Sequence, residues 1–266
     1  MVESNKHDAG ESEESRRHFV ARNVLAAGAV ATTALLGRVR GADAQVARRR
    51  RRCFLKGALI DLADGPRKVE DLAVGDKVPT LFGGQQAIQW IGRYAYGKSE
   101  RSKPWAKDAR PVRIARSAIA PNVPNADLFV TPGHALFLDG VLVPAGSLIN
   151  GATITLDPAV AHDELEFFHI KLESHDVISA QGALVETLLT VDENAVNFAD
   201  YYRAFGMPKA DQPPCAPILS YNGGVSEVKS RMRSAFSPLI DRRQPIDVMR
   251  DRLEARGLAL HAAAAV

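Results

Sequence analysis

Cysteine is almost missing from this chain: there are two in 266 residues, Cys53 and Cys215, separated by 162 positions. That scarcity excludes a disulfide-stapled scaffold and a multi-cysteine zinc site, so each thiol needs its own explanation. Aromatic residues are few as well, at 6%. No apolar run reaches the 18 or so residues needed to cross hydrocarbon as a helix, so no stable membrane span is expected. A charge excess is also lacking in the body of the chain. The net charge of +3 divides into +5 for residues 1–52 (11 Lys+Arg against 6 Asp+Glu) and −2 for residues 53–266 (23 against 25). A body so close to neutral carries no electrostatic footprint for nucleic acid. The five consecutive arginines 48–52 read instead as an exposed linker. What remains is 46% hydrophobic and 24% charged, enough for a sizeable globular core.

The first 52 residues have their own order. Ser15-Arg16-Arg17-His18-Phe19-Val20 precedes the 14-residue stretch Val24–Gly37, built only of Ala, Val, Leu, Gly and Thr, and Ala42-Asp43-Ala44 follows. A basic region, a short apolar region and a small-residue cleavage site in that order are the parts of a removable export signal. Fourteen helical residues fall short of ~30 Å of hydrocarbon. The paired arginines resemble a twin-arginine signal, which implies a periplasmic or extracellular protein. The alternative is a mis-called start codon or an internal helix, which leaves the protein cytoplasmic.

From residue 53 the pattern changes to short runs of period two separated by turn signals: Ala58–Leu62, Val74–Leu81, Ile88–Tyr96, Thr153–Leu156, Leu165–Leu172, Val177–Ala180 and Leu184–Thr190. Asp139-Gly140 between Ala135–Leu138 and Val141–Val143 predicts a type I′ hairpin. Asn194–Phe205, Val225–Phe236 and Ile246–Arg256 carry helical periodicity. The expected organisation is a signal peptide over 1–44, an Arg-rich linker over 45–52, an all-β domain over 53–191, and a mainly helical extension over 192–266.

The chemistry begins at Cys53, the first residue after the arginine run and the first of the β-region. A thiol on the residue following a peptide bond can attack the carbonyl before it through a five-membered transition state, converting amide to thioester. The plain alternative is a small buried hydrophobe, the commonest fate of a free cysteine. Thr131-Pro132-Gly133-His134 adds weight to the first reading. Pro second and Gly third favour a type II turn, which brings its first and last residues within ~7 Å of each other. His134 is then suited to protonate a departing nitrogen, and Thr131 to support an oxyanion. On its own the segment also reads as an ordinary turn between strands. Cys215, after Pro213-Pro214, has no histidine nearby in sequence and reads as a packing residue.

Several spaced motifs together resemble the Hint domain shared by hedgehog autoprocessing regions and inteins. Cys53-Phe54 with Gly57-Ala58-Leu59-Ile60, then Asp64–Leu72 and Val74-Gly75-Asp76, is similar to that family's opening block. Thr131–His134 is similar to its Thr-x-x-His block. The closest likeness is to bacterial Hint-domain proteins, whose sequences also resemble His134–Gly146 and the tail from Cys215 to Phe236. The resemblance spans residues 53 to about 190. It implies an all-β Hint fold with a small α-helical C-terminal extension. It also implies that Cys53 is the nucleophile in an N-to-S acyl shift on the Arg52 carbonyl, assisted by Thr131 and His134. His175 matches the histidine of a late block, and Asp176 beside it either orients a histidine or starts a turn. In Phe167–Glu173 alternation puts Phe168, Ile170 and Leu172 on one face, and His169, with Lys171 and Glu173, is expected at a surface or rim.

Where an intein closes with a His-Asn pair that cyclises, this chain reads Leu184-Val185-Glu186-Thr187. Neither Glu nor Thr supplies an amide nitrogen, so cleavage before Cys53 without splicing is expected: a single-turnover cis reaction with the chain's own N-terminal segment as substrate and water or a small nucleophile as second reactant. No cofactor or metal is called for, and the sequence sets no oligomeric state. The alternative from another class is a catalytically idle exported β-module used for binding, which the short segment between Ala44 and Cys53 favours. A cysteine hydrolase acting in trans would require a substrate cleft.

Overall fold

The computed structural model describes residues 37–38, 52–98, 100, 102–189, 199–206, 213–219 and 225–264. Of the leader, this includes only Gly37–Arg38 (β1), so the signal-peptide reading and nearly all of the arginine run lie outside the described residues.

Short, β-branched and aromatic runs punctuated by glycine give short strands. They are β2 (Phe54–Leu55), β3 (Leu59–Leu62), β4 (Gly65–Lys68), β5 (Lys77–Pro79), β6 (Gln85–Ala87), β7 (Trp90–Gly97), β8 (Val112–Ile114), β9 (Leu128–Val130), β10 (Ala135–Leu138), β11 (Val141–Pro144), β12 (Ile154–Leu156), β13 (Glu164–Lys171), β14 (Val177–Ala180) and β15 (Ala183–Glu186). They form a seven-stranded sheet, β1-β7-β13-β2-β9-β8-β12, a six-stranded sheet, β11-β10-β15-β14-β3-β4, and the ribbon β5-β6. The expected all-β fold is present.

Turn chemistry fixes the hairpin register. Asp139 and Gly140 have φ of 49° and 85°, so both central residues are left-handed as a type I′ turn requires, and Leu138 pairs with Val141. Two boundaries differ from expectation. The run 74–81 is a strand only over Lys77–Pro79, because Gly75 at φ 96° turns the chain just before it. The turn after β3 is Ala63-Asp64, and Pro66 is the second residue of the next strand, tolerated because β4 is a sheet edge.

Phe54, Ile60, Leu136, Phe168, Ile170 and Val185 bind the two large sheets into one core. The helix Pro245–Ala264 runs eight residues past its expected end and joins that core through Ile246, Met249 and Leu253. Each is at most 6% exposed, and burying each contributes about 1.5–3 kcal/mol relative to exposure. A second tail segment crosses β11: Leu142 N donates to Pro217 O at 2.8 Å and Leu219 N to Leu142 O at 2.8 Å. Among the described residues, no helix is long and apolar enough to cross a membrane.

Candidate active site

Strand register brings the site together before any side chain is considered. Phe54 pairs with Phe168 of β13 on one side and with Val130 of β9 on the other. One step back along antiparallel neighbours, Cys53 faces His169 and Thr131. The second of these pairs is closed by main chain: Thr131 N donates to Cys53 O at 2.9 Å. Thr131 then opens the turn that carries the chain from β9 into β10 of the other sheet, so the Arg52–Cys53 bond lies where the two sheets meet.

Cys53 is fully buried, yet polar groups surround its sulfur. Sγ is 3.2 Å from Nδ1 and 3.3 Å from Nε2 of His169, and the Tyr94 hydroxyl donates to it at 3.0 Å. His169 Nδ1 is also 3.0 Å from the carbonyl oxygen of Arg52. A carbonyl oxygen only accepts, so in the neutral ring Nδ1 carries the proton and Nε2, 3.3 Å from the sulfur, is the unprotonated nitrogen. One imidazole thus touches both the would-be nucleophile and the oxygen of the bond it would attack. Its ring is set by neighbours: it lies tilted against Tyr94 at 5.5 Å and stacked toward Trp90 at 6.3 Å.

This overturns the expectation for His169, which is 1% exposed. Alternation assigned the face correctly, but that face is not solvent. β13 is central in its sheet, and the face shared by His169, Phe167 and Leu165 is covered by a second cluster containing Cys53, Tyr94, Tyr96 and Trp105. The sequence did carry a signal: His169 interrupts the apolar run Phe167-Phe168-His169-Ile170.

The Cys53 nitrogen is also held. Cys53 N donates to Thr131 Oγ1 at 3.0 Å. The turn Thr131–His134 closes, with His134 N donating to Thr131 O at 3.0 Å, but it is not the expected type II turn: Gly133 is not among the glycines with positive φ, which the third residue of that type requires. Gly146, in the segment after β11, packs directly on it: Gly146 N donates to Pro132 O at 2.9 Å, and a Cβ at Gly146 would stand 3.0 Å from that same oxygen. The His134 ring is buried edge-on against Phe54 at 4.4 Å. Its Nε2 donates to Glu186 O at 2.9 Å, while Nδ1 has no hydrogen-bond partner. Burial pushes its pKa below the usual 6.5, opposed by the Glu186 carboxylate and by the Cys53 backbone nearby. At neutral pH the ring is therefore neutral, with an unshared lone pair on Nδ1.

The remaining candidates lie one layer out. His175 Nδ1 accepts from Cys215 N at 3.0 Å, which leaves its proton on Nε2, 3.3 Å from Glu186 Oε2. The Asp176 carboxylate faces elsewhere. It accepts from Phe82 N at 3.1 Å, Gly83 N at 2.8 Å and Gln86 Nε2 at 2.9 Å, holding the turn between β5 and β6, with no histidine among these partners. Asp176 directly precedes β14 and braces a turn of another segment. The structure therefore brings Cys53 and Thr131 together with His169, sets His134 beside them, and leaves Asp176 in a scaffold position. Among the described residues, no group of three His, Cys, Asp or Glu side chains is placed to hold a metal ion.

A profile of the Hint domain matches residues 52–192, just over half of the 266-residue chain. The chain belongs to the Hint-domain family. No curated protein matches it. Solved structures similar to this Hint domain include a DnaB intein from Synechocystis sp. PCC 6803, at 13% identity and a TM-score of 0.34, covering 52% of this chain and 99% of that one. Another is a bacterial intein-like domain from Clostridium thermocellum, at 12% identity and a TM-score of 0.37, with 52% and 99% covered. The gp41-1 intein is a third, at 13% identity and a TM-score of 0.34, with 50% and 97% covered.

Proposed function

We propose that this Hint domain is a self-processing element that cleaves its own chain once, between Arg52 and Cys53, without splicing. The observation that carries the proposal is the placement of His169 on both Cys53 Sγ and the Arg52 carbonyl oxygen. Proximity of this kind makes the attack intramolecular.

The reaction balances with the groups at hand. The thiol proton passes to His169 Nε2, and the Tyr94 hydroxyl stabilises the thiolate. Sγ bonds to the Arg52 carbonyl carbon, and the electron pair displaced onto oxygen is held by His169 Nδ1–H. As that pair returns, the carbon–nitrogen bond breaks, and Cys53 N leaves with a proton delivered from His134. His134 is neutral at rest, so it first takes this proton from solvent, and His169 later returns one. The net change moves the thiol proton to the new amine. Water or a small nucleophile then attacks the thioester, releasing residues 1–52 and restoring the thiol. Thr131 holds the amide N–H in line throughout.

This cleavage would also separate the leader, read from sequence as an export signal, from the folded domain. Intact-mass measurement of the purified chain, with and without an added thiol, tests the proposal. A thiol-accelerated break before Cys53 in the wild type and none in Cys53→Ala is expected. An unbroken wild-type chain under all conditions returns the protein to the reading of an idle β-module.

A further inference from the structure

Glu186 ends β15 where an intein has the histidine of its closing pair, and in this chain it faces the side chain of the residue before Cys53 instead. Its side chain is fully buried, and Oε1 lies 3.0 Å from Nε of Arg52, whose own side chain is 22% exposed. Ala135 N donates to the same oxygen at 2.9 Å. The other oxygen faces His175 Nε2 at 3.3 Å, and Cys215 N, from the tail segment docked on β11, fixes that ring's tautomer from behind at 3.0 Å. A buried carboxylate is costly unless it is paired and hydrogen-bonded. Here two backbone or imidazole donors hold it, and the charge that answers it belongs to the residue on the acyl side of the bond to be cut.

We infer that Glu186, backed by His175, is a specificity-determining subsite that recognises a guanidinium side chain on the residue preceding the nucleophile. The inference rests on the acyl-shift reading and goes beyond it. Arg52 is held at two points belonging to different sheets: its carbonyl by His169 on β13, and its side chain by Glu186 on β15. That two-point hold fixes the plane and distance of the scissile carbonyl relative to Cys53 Sγ. The contact is made at Nε, a donor that arginine has within its planar fork and lysine lacks at that position. Arginine is therefore selected over positive charge in general, and one member of the run 48–52 is singled out. His175 acts here as a positioning residue, and Cys215 contributes through its amide, which gives the C-terminal segment a part in choosing the substrate.

The test measures the rate at which the full-length chain releases residues 1–52 in hydroxylamine. Substitutions at position 52 fall on the substrate side of the bond and leave the folded domain's own residues intact, so they remain readable if a Glu186 variant fails to fold. Arg52→Ala and Glu186→Gln should each slow release by roughly 10–100-fold, the range for losing one charge-assisted hydrogen bond. Arg52→Lys should fall between Arg52→Ala and wild type. The double variant Arg52→Ala/Glu186→Gln should be no slower than either single one, because the two changes remove the same interaction. Added propylguanidinium should restore release in Arg52→Ala but not in the double variant, and propylammonium should restore it in neither. Wild-type release rates in Arg52→Ala, or strictly additive losses in the double variant, would overturn the subsite while leaving the acyl shift standing. Release that persists in Cys53→Ala, or is absent from the wild type, would overturn both.

Discussion

The two thiols of this chain occupy opposite chemical settings although neither is freely exposed. Cys53 is fully buried and Cys215 partly so. Burial disfavours a thiolate. At Cys215 nothing reverses that. Burial, then the Asp176 and Glu186 carboxylates, push its thiol up to about 11. Around Cys53 the neighbours are an imidazole and a tyrosine O–H, which in the proposed acyl shift accept the proton and hold the charge. On the proposed reading, reactivity depends on where a proton can go, not on how open the site is.

The contrast is broken most severely by Cys53→Ala, which should abolish release of residues 1–52. Cys215→Ala, which keeps the amide that faces His175, should change the rate by less than about threefold, within the range of a single weak hydrogen bond. Next in size is His169→Ala. It removes both the thiol's proton acceptor and the donor to the Arg52 oxygen, and should slow release toward the upper end of the roughly 10²–10⁴-fold range of general acid–base groups. His134→Ala should cost less within the same range, and it should leave residues 53–266 one continuous chain by intact mass. A break near Thr187 would contradict cleavage without splicing.

The smallest expected effect is on stability. His134 has a folded-state pKa below its unfolded 6.5, so the unfolded chain binds more protons in the window beneath 6.5. Stability contributed by the neutral ring is present above that value and is lost as pH falls through the window. The urea midpoint should drop between about pH 7 and about pH 5, and His134→Gln should flatten that part of the curve. Identical curves for the two proteins would exclude His134 as the source.

Local sequence made much of this legible, and the limits have physical causes. Asp139-Gly140 specifies its turn because few residues tolerate two successive left-handed positions. Cys53, Thr131 and His134 stand out in the sequence because they sit at a chain junction and in a compact motif. His169 was misplaced because period-two alternation tells which residues share a face without telling what covers it. That depends on Tyr94 and Tyr96 of the neighbouring β7 and on the 105–109 segment packing against that face. Glu186 was noted only for the amide it lacks. Its contact with Arg52 spans 134 positions and two sheets, and no local pattern encodes it. Asp176 was drawn toward the site by its neighbour His175, but adjacent positions at a strand start point in opposite directions.

The central claim is that a thioester forms between Arg52 and Cys53, and it is tested most directly by mass spectrometry of the N-terminal fragment released in hydroxylamine. The acyl shift predicts a fragment ending in an Arg52 hydroxamate, formed only when Cys53 is present. A fragment ending in the free Arg52 carboxylate at the same yield in Cys53→Ala would show that an ordinary protease had cut the arginine run, and would contradict it.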